Sequence, residues 1–97
     1  MEVLNKPQLT HLDMGESFKT LQVKGLAGMV MPTHHSTKEA VIIVQEGKAL
    51  LQMTQTVHVL REGSTIIIPA GVEHKLDILE AFKAIAIMAV DSELNFK

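Results

Sequence analysis

Twelve residues near the middle of the chain, Gly63-Ser64-Thr65-Ile66-Ile67-Ile68-Pro69-Ala70-Gly71-Val72-Glu73-His74, constrain the fold more than any others. Three consecutive isoleucines favour a strand, because β-branched side chains suit a pleated surface and lose rotamers in a helix. Gly63 and Gly71 stand where such a strand must reverse, and glycine takes positive φ without steric cost. Pro69 fixes φ and withdraws an N–H from the ladder, so the chain leaves the sheet there. The stretch therefore reads as turn, buried strand, turn and histidine. It delivers the imidazole of His74 to one defined place.

The remainder of the chain supplies strands to surround that place. Phe18–Val23 alternates apolar and polar residues at the period of a half-buried strand. Leu26–Met31 reads as the next strand, limited by Pro32. Val41–Val44 is apolar on both faces, which predicts cover on both sides. Glu46-Gly47-Lys48 reads as a tight turn. Ala49–Met53 and Thr56–Leu60 form a hairpin across Thr54-Gln55. Glu73–Ile78 and Phe82–Val90 are expected as two further strands. Residues 81–89 are rich in alanine, but their apolar side chains alternate at period two and so favour strand over helix. Residues 1–17 read as an N-terminal strand or arm, and 91–97 as a polar tail. About eight short strands with turns at roughly ten-residue spacing predict an all-β single domain over 1–97, a sandwich or closed barrel without substantial helix.

Composition excludes several classes of function. The chain has 97 residues, 46% of them hydrophobic and 21% charged, which is globular rather than disordered. It has three phenylalanines, no tyrosine or tryptophan and six methionines, so the core must be aliphatic. The net charge of −2 is spread without a basic stripe, which argues against nucleic acid. Without cysteine there is no disulfide, thiolate nucleophile or cysteine-bound zinc. Met1–Gln8 lacks the blocks of a signal peptide, and no apolar run nears the roughly 20 residues of a membrane span. A cytoplasmic protein that does not engage a membrane is the expectation.

Two stretches carry a resemblance to a known family. Gly63, Pro69, Gly71 and His74 fill G-x5-P-x-G-x2-H, and the chain resembles the cupins in this second signature motif. Only the final asparagine of that motif is missing, with Ile78 in its place. Upstream, residues 32–47 resemble a degraded first motif, G-x5-H-x-H-x3/4-E-x6-G. The short interval between the motifs is similar to that of small single-domain cupins of the RmlC-like type. The resemblance implies a jelly-roll barrel, or double-stranded β-helix, with a cavity. It also implies a divalent metal held by two histidines and a glutamate of the first motif and the histidine of the second. His34 and His74 match the first and last of these ligands. Ser36 stands where the second histidine is expected. Counting back from Gly47 puts Ala40 at the glutamate position.

His35 and Glu39 are each one residue out of register, so an extended strand points them to the opposite face. A bulge is the device that would turn one of them inward. His11 or His58 could complete the site from another strand, although His58 reads as an exposed strand position. The expected cavity residues are His34, Ser36, Ala40, Ile42, Met53 and His74. The expected metal ligands are His34 and His74, with His35, Glu39, His11 and His58 as substitutes.

With half of its ligands lost, the site favours a small-molecule-binding barrel, with the metal site absent or incomplete, over an enzyme. Three alternatives stay open. One is a metal-dependent cupin enzyme of the dioxygenase or isomerase type, using His34, His74 and a non-standard ligand for zinc, nickel, manganese or iron. Another uses the two imidazoles as acid and base without metal. In the third, each histidine is simply a satisfied residue of the barrel mouth. Separately, Val41, Ile43, Ile85 and Ile87 point away from the cavity if their neighbours point in. A chain this short cannot cover that face itself, which predicts a homodimer.

Overall fold

In the computed structural model, which describes residues 6–96, every regular element is a strand. The first five positions of the expected arm, and Lys97 of the expected tail, lie outside the described residues. The strands are β1 (Gln8–Met14), β2 (Phe18–Gly25), β3 (Val30–Ser36), β4 (Ala40–Met53), β5 (Val57–Arg61), β6 (Thr65–Ile68), β7 (His74–Ala89) and β8 (Leu94–Phe96). One antiparallel network joins all eight. No helix among the described residues is long and apolar enough to cross a membrane.

Two long strands organise the network. β4 runs 14 residues and β7 runs 16, where a typical strand has about 5–6. Residues 40–46 of β4 pair with β6 and with the second half of β7, which pairs in turn with β2 and so leads to β1. Residues 48–53 of β4 pair with β5 and with the first half of β7, which pairs with β3 and so leads to β8. The result is two half-sheets, β1-β2-β7-β4-β6 and β8-β3-β7-β4-β5, that share two bent strands. Folding one half over the other buries both inner faces in a double-stranded β-helix.

Side-chain parity records how the bend is made. Along β7 the buried positions are even throughout: His74, Leu76, Ile78, then Phe82, Ala84, Ala86 and Met88. Along β4 they are even before the bend (Ala40, Val44) and odd after it (Ala49, Leu51). A one-residue slip turns every following side chain over, so β4 must absorb an extra residue at the corner. The register shifts at 44–49, and Gly47 sits among them at φ +83°. This is a bulge with glycine at the residue of positive φ. Glu46-Gly47-Lys48, expected as a turn between strands, is instead a bend within one strand. For the same reason the expected strands 73–78 and 82–90 are one continuous β7.

Three other boundaries differ from expectation. Residues 26–29 form a turn closed by Met29 N–H to the Leu26 carbonyl at 3.1 Å, and the strand lies further on at Val30–Ser36. Pro32 is tolerated inside it because the β3–β7 register breaks between Met31 and His34, where a ladder N–H is not needed. The 91–97 segment is not only a polar tail. Ser92 is buried, its Oγ accepts from Lys38 N–H at 3.3 Å, and Leu94–Phe96 pairs with β3 as β8.

The core is aliphatic around a single buried aromatic, Phe82, with Val23, Val44, Leu51, Leu60, Ile68, Leu76 and Ile78 about it. On the outside, Ile43 faces Ile85 and Val41 faces Ile87 in register, and Ile67 of β6 stands beside Val41. Ile67 is 57% exposed and Ile43 36% exposed, while the other three are half-buried.

Candidate functional site

His34 and His74 are register partners across β3 and β7, and Phe96 of β8 is the partner of His34 on its other side. Register partners project to the same face of a sheet, so the three rings form one row. The imidazole centroids are 4.2 Å apart with planes at 62°, edge towards face. The Phe96 ring lies 4.6 Å from that of His34, tilted by 30°. Both histidines are buried, at 7% and 6% exposure.

Each imidazole is tied to its own strand in the same way. His34 Nδ1 lies 2.7 Å from the Pro32 carbonyl and His74 Nδ1 lies 3.0 Å from the Val72 carbonyl. A carbonyl oxygen only accepts, so each Nδ1 carries the hydrogen and donates it. In the neutral ring Nε2 is then a bare acceptor pointing away from the strand. The rings cannot bond each other, since both N–H groups are committed. Burial among aliphatic side chains is the main force holding the pKa of both rings below the usual 6.5, against the upward pull of each backbone carbonyl. The neighbouring positive charge of His35 lowers both further, and that of His74 lowers His34.

The two rings open on a cavity of about 70 Å³. Ser36, Ala40 and Ile42 line it too, as do Leu9 of β1, Leu94 of β8, Met31, Met88 and Phe82. Among the described residues that line it, three are polar: His34, Ser36 and His74. The Ser36 hydroxyl donates to the Lys38 carbonyl at 2.8 Å. Gly71 N–H bonds the Ser36 carbonyl at 2.8 Å, so the second-motif turn fixes the end of β3 beside the cavity.

The other expected site residues lie elsewhere. Met53 is the register partner of His74 but stands at the end of β4, where it lines a separate surface groove with His58, Ile66 and Val72. His58 is half-buried on that groove, and its neighbours Val57 and Val59 are the exposed ones, opposite to expectation. β5 turns His58 to the same side as buried Leu60, so parity sets the exposure. His35 pairs with Asn95 on the face opposite His34 and Ser36. The β3 irregularity precedes His34 and leaves the 34–36 alternation intact, so it does not turn His35 inward. Glu39 is exposed, and so is His11 on β1. Phe96, Leu94 and Leu9 are site residues that sequence reasoning missed. The alternation Leu94-Asn95-Phe96 is their one readable signal.

These residues do not reproduce the metal site that the resemblance implies. Among the described residues no three or more of His, Cys, Asp and Glu come together to hold an ion. His34 and His74 supply two donors, Ser36 a hydroxyl already engaged, and Ala40 none. Catalytic zinc and non-haem iron keep three protein ligands.

An all-strand double-stranded β-helix with a cavity behind the two motif histidines is the cupin architecture. The chain belongs to the cupin family: the cupin domain matches residues 21–90. Its fold is similar to that of an uncharacterized conserved protein with a double-stranded β-helix domain from Klebsiella pneumoniae, at 16% identity over 100% of this chain and 90% of that one, with a TM-score of 0.82. It is similar as well to an RmlC-like cupin family protein from Methanocaldococcus jannaschii, at 19% identity over 88% of this chain and 81% of that one, TM-score 0.77. The DMSP lyase DddQ from Ruegeria pomeroyi is a third, at 20% identity over 89% of this chain but 48% of its own length, TM-score 0.80. Likeness at these identities concerns the fold alone. No curated protein matches the sequence.

A pH dependence follows from the two buried rings. Their folded pKa is depressed below the unfolded 6.5, so the unfolded chain binds more protons as pH falls. Their stabilising effect is complete above 6.5 and is lost as pH drops through the folded values. Each ring contributes a slope of at most about 1.4 kcal/mol per pH unit. Urea midpoints are expected to fall between pH 7.5 and 5, and to fall less in the H34Q/H74Q double variant. An equal fall in both proteins would show that the slope comes from other groups.

Proposed function

We propose that this cupin is a small-molecule-binding barrel whose ligand sits in the cavity against His34 and His74. The observation that carries the reading is the pair of neutral imidazoles, each locked by Nδ1 to a backbone carbonyl and each keeping an unpaired Nε2 beside an aliphatic cavity. Ligand sites are concave and largely apolar, with a few polar groups that fix orientation. The aliphatic lining supplies affinity by burial, and the two rings supply direction.

A second reading, a metal-dependent enzyme of the dioxygenase or isomerase type, draws support from the same tautomer, because a bare Nε2 is the form in which imidazole binds an ion. It requires a third donor that none of the described residues supplies. Elemental analysis of tag-free protein separates the two. The binding reading expects less than 0.1 equivalent (an order-of-magnitude bound) of zinc, nickel, manganese or iron, since two donors give a weak site. Stoichiometric metal that is lost in H74A would overturn the metal-free reading and favour the second.

We further infer that two copies pair through the outer face formed by Val41, Ile43, Ile85 and Ile87, with Ile67 beside them. No charged side chain lies among these five. An uncharged aliphatic face has no electrostatic complement, and a second copy presents an equal patch that an isologous contact buries twice. Sedimentation at tens of micromolar is expected to give a dimer, and I43K a monomer that stays folded. A monomeric wild-type protein overturns the inference.

A further inference from the structure

The polar groups around the cavity share one property. His34 and His74 have each given their N–H to a carbonyl of their own strand. Ser36 has given its hydroxyl hydrogen to the Lys38 carbonyl. A neutral imidazole has one N–H and a serine one O–H, so all three side chains have spent their donors. What they still offer is lone pairs: Nε2 twice and Oγ once. No buried side-chain nitrogen or oxygen among the described residues lacks a partner, so neither unpaired Nε2 is sealed from a water-sized visitor.

We propose that the cavity selects small neutral molecules whose polar end donates hydrogen bonds, namely short aliphatic alcohols and diols, and rejects carboxylates of the same size. This rests on the binding reading above and specifies its ligand class. Above pH 6.5, where both rings are neutral and where the test below is run, a carboxylate brings only lone pairs to lone pairs and must shed its hydration for nothing. An alkylammonium has donors, but among the described residues no carboxylate lines the cavity to balance its charge in an aliphatic surround. A primary amide donates through nitrogen yet leaves its carbonyl without a donor. An alcohol or diol donates each hydroxyl hydrogen and lays its carbon chain against Met31, Ile42 and Met88. Size sets the rest of the class. At about 70 Å³ the cavity is less than half of the roughly 150 Å³ that accepts benzene.

The test uses ethane-1,2-diol and acetate, two probes of four heavy atoms, with xenon as an apolar reference. Long-range nitrogen–proton spectra of chelator-treated, dialysed protein follow Nε2 of both histidines, and methyl spectra follow Met31, Ile42 and Met88. The diol is expected to shift both Nε2 signals saturably, and acetate at equal concentration to leave them unmoved. In H74F, which keeps an aromatic ring but no acceptor, the diol is expected to bind about 3- to 10-fold more weakly, one net hydrogen bond. The wild-type comparison stands even if H74F does not fold. Acetate shifting Nε2 as much as the diol overturns the donor rule. So does xenon perturbing the methyls while neither polar probe moves the rings, although binding itself then survives. If none of the three probes perturbs the lining, the binding reading falls as well.

Discussion

Gly47→Ala is expected to destabilise the protein by about 3 kcal/mol or more, the largest effect of any glycine-to-alanine change. Two costs coincide at this position. At φ +83° an L-residue is in the left-handed region, which costs about 1–2 kcal/mol. A Cβ there would also collide with the Ala81 carbonyl oxygen and stand 2.7 Å from the Ala81 carbonyl carbon and 2.9 Å from Phe82 Cα. These atoms are backbone on the facing long strand, so no side chain can swing aside. The corner at which β4 and β7 bend together must open, and with it the parity change that keeps both halves of β4 facing inward. Gly63→Ala is the matched control. Its φ is +86°, but nothing lies within 4 Å of its would-be Cβ, so it is expected to lose only the conformational part. Urea unfolding of both variants decides the matter. If G47A costs no more than G63A, the close approach at the corner is not real.

That corner also marks the limit of what the sequence discloses. Glycine at 47 announces a backbone irregularity, and a turn and a bulge use the same residue for the same reason. Which of them occurs depends on whether the strands on either side share partners. β7 runs unbroken past both halves of β4, and its own middle residues 79–81 are exposed, as in a loop. Local pattern therefore reads one bent strand as two. The opposite error occurs at the C-terminus, where Asp91, Glu93 and Asn95 make the segment look like solvent-facing tail. Its alternate residues Ser92 and Leu94 in fact turn inward, and Phe96 covers His34.

The site divides along the same line. His34, Ser36, Ala40, Ile42 and His74 come together at the cavity because strand alternation and motif spacing are local rules, and counting along the chain applies them. Met53 does not join them, because its position depends on where β4 ends. The protonation of the rings was not readable either. It is set by the Pro32 and Val72 carbonyls, each two residues before its histidine, and depends on how the strand curves rather than on residue type.

Phe82→Ala is expected to cost about 3–5 kcal/mol and to change what the cavity admits. Phe82 is 2% exposed, the one buried aromatic of an aliphatic core, and it lines the cavity itself. Truncation loses the transfer free energy of the ring and adds roughly 24 cal/mol for each Å³ of space that the surroundings fail to fill. Those surroundings resist collapse, because Phe82 sits beside the Gly47 corner, where backbone meets backbone. In a short domain of about 5–10 kcal/mol total stability, the loss leaves a protein that melts far lower but still folds in the cold. The enlarged cavity should approach the roughly 150 Å³ at which an apolar space accepts benzene. Benzene is therefore expected to raise the melting temperature of F82A and not that of the wild type. F82L, which retains most of the volume, should lose about 1–1.5 kcal/mol and gain no benzene response. A benzene response in the wild type would mean that the cavity already opens wider than 70 Å³ in solution. None in F82A would mean that the core closes over the gap, and a cost well below 3 kcal/mol should accompany it.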